Sequence, residues 1–280
     1  MPELPEVETV CRGLSKALTG VKIARVDITR KNLRIPFPAA LPSIAGARVE
    51  TISRRAKYIL VNLSTADTVI IHLGMSGRMV IWGESEEYAS VKHDHMIIGM
   101  QDGTRVVFND ARRFGLVDLA RTDDLDAHKF FKHLGPEPLD KKFSTEYLAQ
   151  KLKGKKVSIK VAIMDQRVVV GVGNIYAAEA LFMAGIGPKR RAGTLKKDEI
   201  GKIVDCIRIV LKQAIKAGGS SLRDYVQADG ELGYFQHQWA VYGKEGEKCK
   251  GCACNIKKTG GVKRITQAAR STFYCPQKQK

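Results

Sequence analysis

Residues 58–73 read YILVNLSTADTVIIHL, two short apolar runs, YILVNL and TVIIHL, parted by a polar stretch that ends in Asp67. Runs of this length, rich in Val and Ile and bounded by turn-forming residues, favour strands over helices. The same texture continues outward on both sides, with VKIARVDIT from Val21 and then DHMIIGM, TRVVF and GLVDL up to Leu119, separated by Gly, Pro, Asn and Asp clusters. Closely spaced short strands predict a β-sandwich or barrel. Ahead of them, Val7, Val10, Cys11, Leu14 and Leu18 recur at helical spacing between Pro5 and Gly20, which predicts an opening amphipathic helix. After them, HLGPEPLDKK (133–142) breaks both periodicities and reads as a linker. The chain then turns helical: Ile200, Ile203, Val204, Ile207, Leu211, Ala214 and Ile215 trace one face of a long helix that stops at Gly218-Gly219.

The 280 residues carry 47 Lys and Arg against 29 Asp and Glu, a formal net charge of +18 and a pI near 9.7. An excess of this size points to a polyanionic partner, nucleic acid first and an anionic membrane surface second. No apolar run approaches the roughly 20 residues that span a bilayer, and no signal-peptide pattern opens the sequence, so the expectation is a soluble intracellular protein. Residues 249–280 hold eight Lys and Arg and no acid, the composition of a phosphate-contacting surface. Of six cysteines, Cys11 and Cys206 fall at apolar helix positions and read as core. Cys249, Cys252, Cys254 and Cys275 crowd the C-terminus and read as metal ligands rather than disulfides in a reducing compartment.

The chain begins Met1-Pro2-Glu3-Leu4-Pro5-Glu6-Val7-Glu8. Trimming of Met1 exposes Pro2 as a terminal secondary amine, which can add to an aldehyde-level carbon and lose water to give an iminium. A terminal amine suits this role, with a reference pKa of about 8 against about 10.4 for lysine. Glu3 stands beside it to move protons. The competing structural reading is that Pro2 and Pro5 start a helix, with Glu6 and Glu8 complementing its macrodipole.

Eight blocks occur in colinear order: MPELPEVETV at the start, RRAKYIL (54–60), HLGMSG (72–77), KHDH (92–95), RRFG (112–115), HLGPEPL (133–139), VVVGVGNIYAAEALF (168–182) and ARSTFYC (269–275). Together they resemble the bacterial formamidopyrimidine-DNA glycosylases, and the resemblance runs from Met1 to about Lys280. It implies an α+β fold of two domains: an N-terminal β-sandwich with an N-terminal helix, and a C-terminal helical domain with a helix-two-turn-helix and a zinc-finger-like β-hairpin. The expected boundaries are 1–132 for the catalytic sandwich, 133–143 for the linker, 144–245 for the helical domain with a lesion-capping loop at 218–238, and 246–280 for the hairpin.

The resemblance further implies a bifunctional glycosylase and abasic-site lyase that removes 8-oxoguanine and ring-opened purines from double-stranded DNA as a monomer, cytoplasmic and nucleoid-associated. Pro2 attacks the sugar C1′, Glu3 assists ring opening, Lys57 reaches the opened sugar and its phosphate, and Arg270 promotes the second elimination. His93, Arg112, Lys156 and Asn174 fall on DNA-contacting positions. Met75, Arg112 and Phe114 match a triad that fills the hole left by a flipped nucleotide. Glu6, Ser220 and Ser221 belong to the lesion pocket. On residue pattern alone, Lys57 also reads as a strand-edge surface lysine, Asn174 as a helix N-cap, and Met75 and Phe114 as core. Two rival functions share parts of the pattern: an endonuclease VIII-like enzyme for oxidised pyrimidines, and a damage-binding protein that does not cut.

The cysteine module departs from the family, whose finger supplies two CxxC pairs. Here the second pair reads Cys275-Pro276-Gln277-Lys278, the spacer from Cys252 to Cys275 is longer, and Cys254 is additional. One reading is a structural Zn2+ held by Cys249, Cys252, Cys254 and Cys275, because Lys278 is charged and repelled by the metal. The other is a metal-free hairpin held by its own packing.

Overall fold

The computed structural model describes residues 1–220 and 234–280. The chain divides into two compact units, one made of residues 1–132 with the described part of 215–236, the other of residues 133–214 and 237–280.

The first unit is a β-sandwich. One sheet has the order β1 (Ile23–Ile28), β6 (Asp94–Met100), β7 (Arg105–Asn109), β5 (Arg78–Trp82); the other has the order β2 (Val49–Arg55), β3 (Tyr58–Leu63), β4 (Asp67–His72), β8 (Leu116–Arg121). All pairings are antiparallel. Two-residue periodicity sends Ile59, Val61 and Leu63 of β3 and Val69 and Ile71 of β4 into the core, where they meet Met96 and Ile98 of β6 and Val106 and Phe108 of β7. Helix α1 (Leu4–Leu18) adds Val7, Val10, Leu14 and Leu18 to the same core. Leu60 and Ile70, on the opposite face of β3 and β4, are buried too, which is why those runs are nearly continuously apolar instead of alternating. On that side Tyr58 stacks on Phe130 at 5.6 Å and meets the edge of Phe131 at 5.2 Å.

The second unit is helical, with α2 (Thr145–Leu152), α3 (Ile159–Met164), α4 (Asn174–Ala184), α5 (Lys197–Lys216) and a C-terminal hairpin, β9 (Lys263–Gln267) with β10 (Arg270–Tyr274), preceded by the single turn α6 (Ile256–Thr259). Residues 165–173 between α3 and α4 are knitted by Gln166, whose Nε2 donates to Met164 O and Val172 O while its Oε1 accepts from Gly171 N. Helix α4 is buried from Ile175 to Phe182 and carries one acid, Glu179. That carboxylate accepts three backbone N–H groups, from Ala240 (2.7 Å), Val241 (3.0 Å) and Tyr242 (2.8 Å), and so fastens the approach to the hairpin. Cys11 lies in the first core as expected, whereas Cys206 is only half-buried. Among the described residues no helix is long and apolar enough to cross a membrane.

Candidate active site

Pro2 is buried, while Met1 ahead of it is 37 % exposed. Glu3 is the N-cap of α1 and is 3 % exposed. The helix start and the candidate nucleophile therefore coincide: Pro2 sits one residue before the cap, beside the positive end of the helix dipole, which opposes protonation of a terminal amine there. Glu6 fixes this end. Its Oε2 accepts the Glu3 N–H at 2.9 Å and its Oε1 accepts the Ser220 N–H at 2.8 Å. The two expected pocket residues thus meet, with both Glu6 oxygens engaged by backbone. Gly219 permits the approach: its φ is +78°, and a Cβ there would lie 3.2 Å from Glu6 Oε1. Ser221 lies outside the described residues.

Lys57 lies in the two-residue turn between β2 and β3, where Ala56 takes a left-handed φ of 54°. Arg54 ties that turn to α1, donating from Nε to Glu8 Oε2 at 3.0 Å and from Nη1 to Ala56 O at 2.8 Å. Only 6 % exposed, Lys57 is not a surface lysine. His72, paired with Tyr58 across the strands, has its pKa lowered to about 4, first by burial and then by the positive charges of Lys57 and Arg34. It is therefore neutral near pH 7, and its Nδ1 accepts the Gly74 N–H at 3.0 Å.

Gly74 opens the loop that carries Met75. With a φ of +64° and only 2.3 Å between a built Cβ and the carbonyl carbon of Phe114, it lets the 73–77 and 110–115 loops lie back to back. Asp110, fully buried, locks them: its Oδ1 accepts from Ser76 Oγ at 2.6 Å, its Oδ2 from Gly115 N at 2.8 Å, and Ser76 Oγ accepts from Arg112 N at 3.0 Å. The result displays Phe114 at 47 % exposure with the Arg112 guanidinium 5.2 Å from its ring centroid, so Phe114 is not core. Met75 is half-buried. His93, at a left-handed φ of 77°, gives its carbonyl to Asp110 N, so it joins the same framework.

In the second unit Asn174 is the first residue of α4, and Gly173 is its N-cap, so the N-cap reading of Asn174 does not hold. The Gly173 N-cap has no side chain to cap this end, which carries the positive pole of the α4 dipole. Asn174 Nδ2 donates to Ser271 O at 2.9 Å, and its Oδ1 accepts from Lys160 Nζ. Lys160 is 1 % exposed and also donates to Thr272 Oγ1 at 2.7 Å, joining α3, the start of α4 and β10. Arg270 is exposed at the hairpin tip, directly after Ala268 and Ala269, both left-handed (φ 47° and 59°). Two such alanines cost on the order of 1 kcal/mol each. Gln267 holds the tip, donating from Nε2 to Ser158 Oγ at 2.8 Å and Pro188 O at 3.2 Å. Lys156 is exposed between α2 and α3.

Residues 1–117 match the profile of the Formamidopyrimidine-DNA glycosylase N-terminal domain and residues 134–226 that of the Formamidopyrimidine-DNA glycosylase H2TH domain. The chain is 51% identical over 287 aligned residues to a formamidopyrimidine-DNA glycosylase of Ruegeria pomeroyi, covering 100% of both chains. The chain belongs to the formamidopyrimidine-DNA glycosylase family. Its fold is also that of solved members: a Lactococcus lactis Fpg mutant in complex with Fapy-dG-containing DNA (TM-score 0.89, 34% identity, 100% of both chains) and MutM (Fpg) from Thermus thermophilus (TM-score 0.87, 35% identity, 99% of this chain and 98% of that one).

Four C-terminal cysteines form a candidate structural metal site. The thiol sulfurs of Cys249, Cys252, Cys254 and Cys275 all lie within 4.8 Å of one another, and Cys254 is buried. A tetrahedral Zn2+ with Zn–S bonds of about 2.3 Å sets its sulfurs about 3.8 Å apart; Cys252 and Cys275 stand at 3.8 Å and Cys249 and Cys254 at 3.1 Å. The donor set fits zinc. Lys278 is no ligand: its backbone N–H donates to Cys275 Sγ at 3.4 Å, and its ammonium lies 4.1 Å from the Phe182 ring centroid. Burial, then the neighbouring thiols, push the Cys249 thiol far above its ordinary range, so without a cation that sulfur stays protonated.

Asp110, Lys160, Gln166 and Glu179 escaped the sequence reading. Each is a polar residue whose role is to accept or donate several buried hydrogen bonds, and only Asp110, directly ahead of Arg112 and Phe114, carried a positional hint.

Proposed function

We propose that this chain is a bifunctional DNA glycosylase and abasic-site lyase of base excision repair, acting on 8-oxoguanine and formamidopyrimidines in double-stranded DNA. The observation that carries this reading is the buried Pro2–Glu3 pair at the Glu6-fixed start of α1, in a chain belonging to the formamidopyrimidine-DNA glycosylase family. After Met1 removal the Pro2 nitrogen adds to C1′, the glycosidic bond breaks, and the base leaves with the electron pair and gains a proton. Glu3 protonates the ring oxygen as the sugar opens to an iminium. Loss of a C2′ proton then expels the 3′ phosphate, and a second elimination assisted by Arg270 expels the 5′ phosphate. Lys57 neutralises charge at the opened sugar; Asn174, at the positive N-terminal end of α4, takes a backbone phosphate.

Met75, Arg112 and Phe114 occupy the vacated stack, with His93 and Lys156 on flanking phosphates, while Glu6 and Ser220, together with Ser221, border the lesion. The protein works as a monomer in the cytoplasm, associated with the nucleoid through DNA. Zinc, when bound by Cys249, Cys252, Cys254 and Cys275, supplies structural cross-linking of the hairpin and no reacting group.

Borohydride reduction during incubation with an 8-oxoguanine duplex tests the reading. Wild-type protein is expected to become covalently linked to the DNA, and Pro2→Gly to lose at least 90 % of that product, roughly 1.4 kcal/mol or more of barrier. An unchanged yield in the variant refutes Pro2 as nucleophile. Preferential trapping on thymine glycol instead marks the pyrimidine enzyme, and duplex binding without trapping on any lesion marks a non-cutting protein.

A further inference from the structure

The lengthened spacer after Cys254 is a built element. Asn255 caps α6, its Oδ1 accepting from Lys257 N at 3.0 Å and Lys258 N at 3.4 Å. Ahead of it Cys254 is anchored in the sulfur cluster. Behind it, Val262 is fastened by two backbone hydrogen bonds, Gly246 N to Val262 O and Val262 N to Glu247 O, each 2.9 Å. The turn is thus fixed at both ends and holds its side chains on a rigid base.

Lys257 and Lys258 are both exposed on this turn, and no carboxylate among the described residues pairs with either. The neighbouring strand differs: Arg264 of β9 lies 3.7 Å from Glu245 and is partly neutralised. From α6 the chain runs up the five residues of β9, about 16 Å of strand, to the tip that presents Arg270. One DNA strand places a phosphate about every 3.4 Å of helix axis, so the length of β9 corresponds to about five phosphate spacings.

We infer that α6 is a second phosphate-binding element, in which Lys257 and Lys258 grip the DNA backbone away from the lesion. The inference rests on the DNA-binding reading above and adds a contact set to it. The ligand is the sugar-phosphate backbone, without base preference, because two unconstrained ammonium groups recognise charge and not base edges. A rigid turn lowers the ordering cost of the contact relative to lysines on a loose loop.

The test is the salt dependence of binding to a 25-base-pair duplex with a reduced abasic-site analogue, for wild type, Lys257→Gln/Lys258→Gln and Lys257→Arg/Lys258→Arg. Each phosphate contact contributes about 0.9 to the slope of log affinity against log salt. The Gln pair is expected to lower the slope by about one to two and the Arg pair to retain it, with zinc content and single-turnover cleavage at saturating protein unchanged. A slope equal to wild type in the Gln pair overturns the inference while leaving the DNA reading intact. Absence of salt-dependent duplex binding by wild type instead overturns the reading on which it rests.

Discussion

At the scale of single residues, the candidate site is governed by groups whose charge state is set by burial. His72 is the clearest. Its neutral Nδ1 accepts the Gly74 N–H, and its folded pKa of about 4 lies below the ordinary 6.5. A histidine depressed in this way contributes its full stability above the unfolded pKa, because there both states are neutral. As pH falls from 6.5 through 4 the unfolded chain takes up the proton first, and that contribution is lost, on the order of 3 kcal/mol at the limit. Urea unfolding at pH 7 and pH 5 is expected to show the loss in wild type. His72→Asn, which keeps an acceptor for Gly74 but does not titrate, should show a shallower decline; equal declines would exclude His72 as the source. Nothing in HLGMSG announced this role, since the effect needs burial in the fold and, after it, Lys57 from the β2–β3 turn and Arg34 from the segment after β1.

The elements are positioned by acids that receive backbone donors. Glu179 is the one acid on α4, and it faces inward because three consecutive N–H groups at 240–242 have no ladder of their own to join. Replacing it by glutamine keeps the shape, but turns an NH2 group toward a donor and removes the charge that strengthens all three bonds. Glu179→Gln is expected to cost about 2 kcal/mol, read as a lower denaturant midpoint at unchanged slope. Loss of less than about 0.5 kcal/mol would show that the 240–242 segment is held by packing alone. The elements themselves were legible in the sequence. The runs at 58–63 and 67–72 are β3 and β4, and the apolar face over 200–215 is α5, because periodicity and burial are the same constraint seen twice. The single turn α6 was not legible: it has no periodicity, and depends on Asn255 and on the anchored residues at either side.

At the scale of the whole molecule, each unit has its own core, and the hairpin has in addition the cysteine cluster, whose binding free energy becomes folding free energy when metal is present. Cys254→Ala should drop zinc from near one equivalent per chain to below half. Adding Lys278→Cys in that background should restore it, because the Lys278 backbone already donates to Cys275 Sγ and stands beside the cluster; elemental analysis of the purified proteins decides. Full zinc in Cys254→Ala would remove Cys254 from the ligand set. By itself the sequence determined the family, the α+β class, the sandwich-then-helices order and the Pro2–Glu3 start, since these are written in local patterns and in colinear blocks. Only the tertiary structure decided that Phe114 is displayed rather than buried, that Lys57 is sheltered, that Glu6 reaches Ser220, and that Cys254 joins the other three thiols. Glu6 and Ser220 stand 214 positions apart, and burial or exposure of a single side chain depends on what the fold packs against it; spacing along a sequence carries neither.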